Sequence, residues 1–146
     1  MKLITEEVSQ VKFITEGKGK GKRLCIEGVF LQGGIKNRNG RMYPVDILER
    51  ECARYNKTFI SQGRALGELG HPEGPTVNLD RVSHKITSLV REGNNFRGKA
   101  TLLSTPMGKI ASSLLDEGVK LGVSSRGIGS LRESSNGCKM VGEDFQ

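Results

Sequence analysis

Apolar residues that recur every second, or every third to fourth, position locate most of the ordered elements of this chain. In RLCIEGVFLQ, Arg23 to Gln32, Leu24 and Ile26 alternate with polar neighbours before Val29, Phe30 and Leu31 run on. That pattern predicts a core strand with a bulge at Gly28. NRNGRMYP, Asn37 to Pro44, reads as a turn at Asn39-Gly40. Pro44 then opens a helix over VDILERECARYNKTF, in which Ile47, Leu48, Cys52 and Tyr55 fall close to one face. VSHKITSLVRE and FRGKATLL, separated by GNN, predict a hairpin. A second helix has Thr105 as cap, Pro106 in its first turn, Ile110, Leu114 and Leu115 on its buried stripe, and Gly118 as its stop. LGVSSRGIGSL is extended and glycine-rich, SSNG is a turn, and CKMVGEDFQ is a last strand. Together these elements predict an α+β fold, mostly antiparallel sheet or barrel with two flanking helices.

The chain has 146 residues, which suits one core and is too short for two ordinary ones. Residues 1–22 read as a flexible arm followed by a Gly/Lys link, and residues 23–146 as the folded body. EDFQ ends within the last expected strand, so a complete barrel is expected to need sequence beyond Gln146. No run approaches the ~18 apolar residues of a membrane span, and MKLITEEVSQ lacks the apolar stretch of a secretory signal. A soluble, cytoplasmic protein with no membrane partner is expected. Cys25, Cys52 and Cys138 are odd in number and far apart, which fits reduced thiols rather than a disulfide framework.

A net charge of +7 raises the question of nucleic acid. Much of that charge sits in GKGKGKR, Gly17 to Arg23, whose composition is that of a solvated link. Two Tyr and five Phe leave little for base stacking, so nucleic acid is not the expected partner. The tract is no phosphate loop either, because Lys22 is followed by Arg23 rather than Ser or Thr. A zinc site is not supported: His71 and His84 are the only histidines, and neither a CxxC nor an HExxH occurs. No cofactor is implied.

Acyl-transfer chemistry fits better. In GVSSRG two adjacent serines lie between glycines, with Arg126 directly after them. Glycine allows close backbone approach, and the amides of Arg126 and Gly127 are candidates for binding a developing oxyanion. A serine nucleophile needs a base, and His71, in GELGHPEGP between two turns, could supply one. His84 shares a strand face with Val82 and Ile86 and reads as a half-buried structural histidine.

NRNGRMYP, GELGHP, TPMGK and GVSSRGIGSL, in that order, resemble the prohead core serine proteases of tailed bacteriophages, a family distantly similar to the maturation proteases of herpesviruses. The resemblance spans about Gly28 to Leu131 and implies a herpesvirus-protease-like fold. It further implies an endopeptidase, enclosed in the prohead within the host cytoplasm, that cuts scaffold or core proteins and the major capsid protein during head maturation. It implies a homo-oligomer as well. By the family pattern His71 is the general base and Ser124 the nucleophile, with Ser125 as the alternative; neighbours on a strand face opposite ways, so only one can meet His71. The herpesvirus third member is a histidine after the serine, whereas both histidines here precede Ser124. Phage members imply an acidic group instead, for which Asp144 comes first, then Glu143, with Asp80 and His84 as further alternates.

The resemblance also implies cleavage after Glu preceded two residues earlier by Leu or Ile. ITE meets that rule at Glu6 and again at Glu16, which suggests self-removal of the arm; Glu49, Glu68, Glu117 and Glu133 meet it too. Lys36, Arg38, Arg41 or Arg126 could pair with the acidic side chain. Two other classes remain: a non-catalytic prohead scaffold component, and a nucleic-acid-binding accessory protein.

Overall fold

The computed structural model describes residues 2–8, 11–16, 23–70, 74, 76–133 and 138–146. Its largest unit is an antiparallel five-stranded sheet. The strands are β2 (Val11–Glu16), β3 (Arg23–Gln32), β5 (Leu66–Glu68), β6 (Val82–Glu92) and β7 (Asn95–Leu102), in the order β2-β3-β7-β6-β5. A three-stranded sheet has the order β4-β10-β9: β4 (Arg41–Met42) runs parallel to β10 (Lys139–Val141), and β9 (Leu131–Glu133) antiparallel to it. The third sheet is a pair, β1 (Lys2–Val8) antiparallel to β8 (Val123–Gly129). Helix α1 spans Val45–Tyr55 and continues as a π-helical turn over Asn56–Ile60; helix α2 spans Pro106–Asp116.

The expected hairpin forms. Glu92 pairs with Asn95, and Gly93 takes the positive φ of 62° that the two-residue turn requires. The bulge of β3 is one of three differences in detail. Register shifts between Val29 and Leu31 rather than at Gly28, which pairs regularly with Gly98. A Cβ on Gly98 would lie 2.0 Å from Cδ2 of Phe30, so the missing side chain makes room for that ring. Phe30 is the residue out of register because its bulk is buried over its neighbour strand.

The second difference concerns residues 1–22, read as a flexible arm. Residues 2–8 and 11–16 are strands, and Ile4 is only 1% exposed within the main core, beside Phe30, Leu48, Phe96, Val141 and Phe145. Burial of an Ile side chain contributes roughly 1.5–3 kcal/mol, enough to hold a short segment against the body. The lysine link at residues 17–22 and the SSNG turn lie outside the described residues. CKMVGEDFQ forms a strand only over Lys139–Val141, after which Gln146 exchanges two backbone hydrogen bonds with Ile128.

Helix α1 buries Ile47, Leu48 and Cys52, as its periodicity predicts. Helix α2 is capped by the Thr105 hydroxyl, which accepts from the Gly108 amide at 3.1 Å. The third difference is its orientation: Ile110 and Leu114 are exposed, and Gly108 and Ala111 are buried instead. A Cβ on Gly108 would come within 2.0 Å of the Leu103 carbonyl oxygen. The helix lies so close to the chain before it that only its smallest residues fit the interface. The three cysteines are free and buried, and desolvation pushes the Cys52 thiol up.

Candidate active site

Strand β8 carries both candidate nucleophiles. A Cβ on Gly127 or on Gly129 would meet the Phe145 side chain, so the odd-numbered positions of β8 face that ring. Alternation then assigns Ser125 to the Phe145 face and Ser124 to the opposite face, together with Arg126. The Arg126 side chain reaches the segment between β5 and β6. Its Nη1 donates to the Gly74 carbonyl at 2.9 Å, and its Nη2 lies 3.4 Å from Oε2 of Glu68. Glu68 and Gly74 bracket position 71 in the chain. His71 itself lies outside the described residues.

Further bonds hold this segment. Leu69 and Arg81 share two contacts: the Leu69 amide donates to the Arg81 carbonyl, and Arg81 Nη2 returns a bond to the Leu69 carbonyl at 2.7 Å. The Glu68 carboxylate also accepts from the Asn78 amide. Gly70 and Gly74 take positive φ values of 92° and 88°, turns that only glycine makes without strain.

Backbone direction limits the oxyanion candidates. Ile128 turns both of its polar backbone groups to Gln146, so the even positions of β8 point to that edge and the odd ones to β1. The amides of Arg126 and Gly127 therefore diverge and cannot converge on one oxygen.

Asp144 is bonded beyond the far end of β8. Its Oδ1 accepts from the amide and the hydroxyl of Ser130, at 3.0 and 2.9 Å, and these bonds hold its carboxyl below the usual range. Ser130 lies six positions beyond Ser124, and an extended chain covers about 20 Å over that span. The Asp144 carboxylate is therefore held well away from Ser124. Glu143 is exposed in the same turn, where its carbonyl accepts from Arg50. Asp80 is exposed in a short 3-10 turn, Leu79–Arg81. His84 is half-buried in β6, its Nδ1 is 2.8 Å from the Ser83 hydroxyl, and its ring covers Gly67 on β5. Burial lowers its pKa, which keeps the ring neutral.

The arm meets this site. In the β1–β8 ladder Glu6 is opposite Ser125 and Glu7 opposite Ser124, whereas Glu16 is opposite Arg23 of β3. Thr5 pairs with Arg126, so its polar groups point away from β8, and its carbonyl accepts from Arg41 Nη1 at 3.1 Å. Arg41 is delivered by the NRNGRMYP turn, in which the Asn37 side chain accepts from the amides of Asn39 and Arg41. Glu68 is the residue that sequence reasoning passed over except as a cleavage match. Its signal is an acidic side chain inside one motif and a basic one, Arg126, inside another.

Among the described residues no three His, Cys, Asp or Glu side chains gather as a metal would require, and no helix is long and apolar enough to cross a membrane.

Residues 5–146 match the family model described as prohead core protein serine protease. The chain is 35% identical over 136 residues to the prohead core protein protease of Enterobacteria phage T4, covering 90% of this chain and 64% of that protein. It is also similar to the solved structure of the bacteriophage T4 capsid assembly protease, gp21. There the TM-score is 0.92 with 32% sequence identity, covering 99% of this chain and 92% of that one. The mixed fold of antiparallel sheets and two helices is the one that structure has.

Proposed function

Because the chain belongs to the prohead core protein serine protease family, we propose that it is a serine endopeptidase that cleaves scaffold and capsid proteins inside the prohead. Ser124 is the nucleophile of this reading and His71 its general base. The imidazole takes the hydroxyl proton as Oγ attacks the scissile carbonyl, then returns it to the leaving amine. Water activated by the same ring releases the acyl-enzyme. The observation that carries the reading is the bridge made by Arg126: from the Ser124 face of β8 it bonds Glu68 and Gly74, on either side of position 71. Ser125 lies on the opposite, Phe145 face of the strand.

Cleavage after Glu and self-cleavage of the arm belong to the same proposal. Support comes from β1, which lies along the serine-bearing strand with the Glu6–Glu7 peptide opposite Ser125 and Ser124. Glu6 is thereby preferred to Glu16. Arg41, bonded to the carbonyl one residue before Glu6, is the preferred partner for a substrate chain in this position.

The test is processing of the cognate scaffold by purified protein, with amino-terminal sequencing of the products. Ser124→Ala and His71→Ala each lower the rate by about 10⁴- to 10⁶-fold, whereas Ser125→Ala retains activity. A new terminus at Glu7 appears in the wild type and is absent from Glu6→Ala. Unimpaired processing by Ser124→Ala refutes the nucleophile, and an intact β1 segment in an active enzyme refutes the self-cleavage. Light scattering tests the homo-oligomer that the family resemblance implies.

A further inference from the structure

We propose that Glu68 is a positioning residue: through its ion pair with Arg126 it fastens the segment that carries His71 to the strand that carries Ser124. The proposal deepens the reading of Ser124 and His71 as the catalytic pair and rests on it.

The Glu68 side chain is 1% exposed and that of Arg126 21%. A carboxylate removed from water is costly unless its oxygens are bonded, and both oxygens of Glu68 are engaged. Oε2 faces Arg126 Nη2 at 3.4 Å, and Oε1 accepts from the Asn78 amide. The other arm of the guanidinium takes the Gly74 carbonyl at 2.9 Å. One buried ion pair therefore joins three points of a single segment, its start at Glu68, its middle at Gly74 and its end at Asn78, to β8.

Among the described residues of that segment little regular structure secures it otherwise. Among its described residues only Leu66–Glu68 at the entry pair in the sheet, on an edge strand, and the register with β6 already slips between Gly67 and Glu68. Arg126 is suited to the task because it presents a planar fork to two acceptors at once, which a lysine cannot. Its place on the Ser124 face, two positions from that hydroxyl, makes any drift of the fork a drift of the imidazole-bearing segment relative to the nucleophile. Misplacement of a catalytic group by about 1 Å can cost on the order of 100-fold in rate.

Two variants and two readouts test this. Glu68→Gln keeps the shape and an acceptor for Asn78 but removes the charge pairing, and Glu68→Ala removes both. On a Glu-containing scaffold peptide, kcat is expected to fall by about tenfold in the first and about 100-fold in the second, with KM within about threefold of wild type. Labelling of Ser124 by a fluorophosphonate slows in parallel. Arg126→Lys should show a loss comparable to that of Glu68→Gln, since a point charge cannot hold both acceptors. Hydrogen exchange of residues 69–77 rises in both Glu68 variants, while that of β6 and β7 stays at the wild-type level. Wild-type kcat in Glu68→Ala, or unchanged exchange over residues 69–77, overturns the proposal. If Glu68→Ala does not fold, Glu68→Gln decides by the same criteria. A wild-type protein that neither cleaves nor labels refutes the proteolytic reading, and the exchange result still decides whether Glu68 holds the segment.

Discussion

Substitution of Gly67 by alanine places a methyl group inside an imidazole. An ideal Cβ at this position lies 2.0 Å from Nε2, 2.3 Å from Cε1 and 2.7 Å from Cδ2 of His84. Carbon contacts are comfortable at about 3.5–4.0 Å, so ring and strand must separate by about 1.5 Å. The ring does not yield freely, because Nδ1 is 2.8 Å from the Ser83 hydroxyl and Ser83 is itself buried. Overpacking of this kind costs about 1–3 kcal/mol, and the held ring puts Gly67→Ala near 3. His84→Ala costs about 1–2 kcal/mol on its own through the lost hydrogen bond and the space it opens. In that background the new methyl group enters the vacated space, and its backbone effect is neutral to favourable by under ~1 kcal/mol. The two substitutions should therefore be coupled by about 2–4 kcal/mol, the double variant being no less stable than His84→Ala alone. Urea unfolding of the four proteins, all carrying Ser124→Ala so that no self-cleavage competes, measures this directly. Effects that add within about 0.5 kcal/mol would refute the close approach of Gly67 and His84.

Other consequences can be measured on the same proteins. Burial holds His84 neutral in the folded state with its pKa below the ordinary value, so the unfolded chain takes up the proton first on acidification. This contribution to stability is complete above about pH 6.5 and is lost as pH falls through the folded-state pKa. His84→Asn should flatten the stability profile between about pH 8 and 5, and an unchanged slope would argue against it. Thr105→Ala removes the acceptor of the Gly108 amide and a donor to the Val82 carbonyl, for an expected loss of about 1–2 kcal/mol; Thr105→Ser should recover most of it. Gly108→Ala drives a methyl group against two backbone carbonyls, of Leu103 and Ser83, which cannot rotate aside. A loss of about 3 kcal/mol is expected in denaturant unfolding, and a neutral result would mean that α2 packs less closely.

The spacing of apolar residues in the sequence made β3, β6, β7 and α1 legible as elements, and in α1 the buried Ile47, Leu48 and Cys52 repeat at the helical spacing. It failed where the partner decides. Residues 2–8 carry no turn or hairpin signal, since the strand that completes them begins at Val123, and long-range pairing leaves no local trace. In α2 the largest apolar residues suggested the inward stripe, yet close approach to the Leu103 carbonyl selects Gly108 and Ala111. Phe30 displaced the bulge from Gly28 for a similar reason: a ring needed the space above Gly98. At the candidate site, Ser124 and His71 are proposed from family motifs alone, and the ion pair between Glu68 and Arg126 joins residues that no spacing rule connects. The chain direction of β8, which separates the Arg126 and Gly127 amides, appears only once its ladder with β1 is known.

The β1–β8 ladder also sets a schedule. Residues 2–8 leave the ribosome early, and residues 123–129 follow only after the strands of the five-stranded sheet have been made. At roughly 5–20 residues per second the first strand waits several seconds for its mate. Throughout that interval the strand that carries Ser124 does not yet exist, so under the proposed function a nascent chain cannot cut its own first strand.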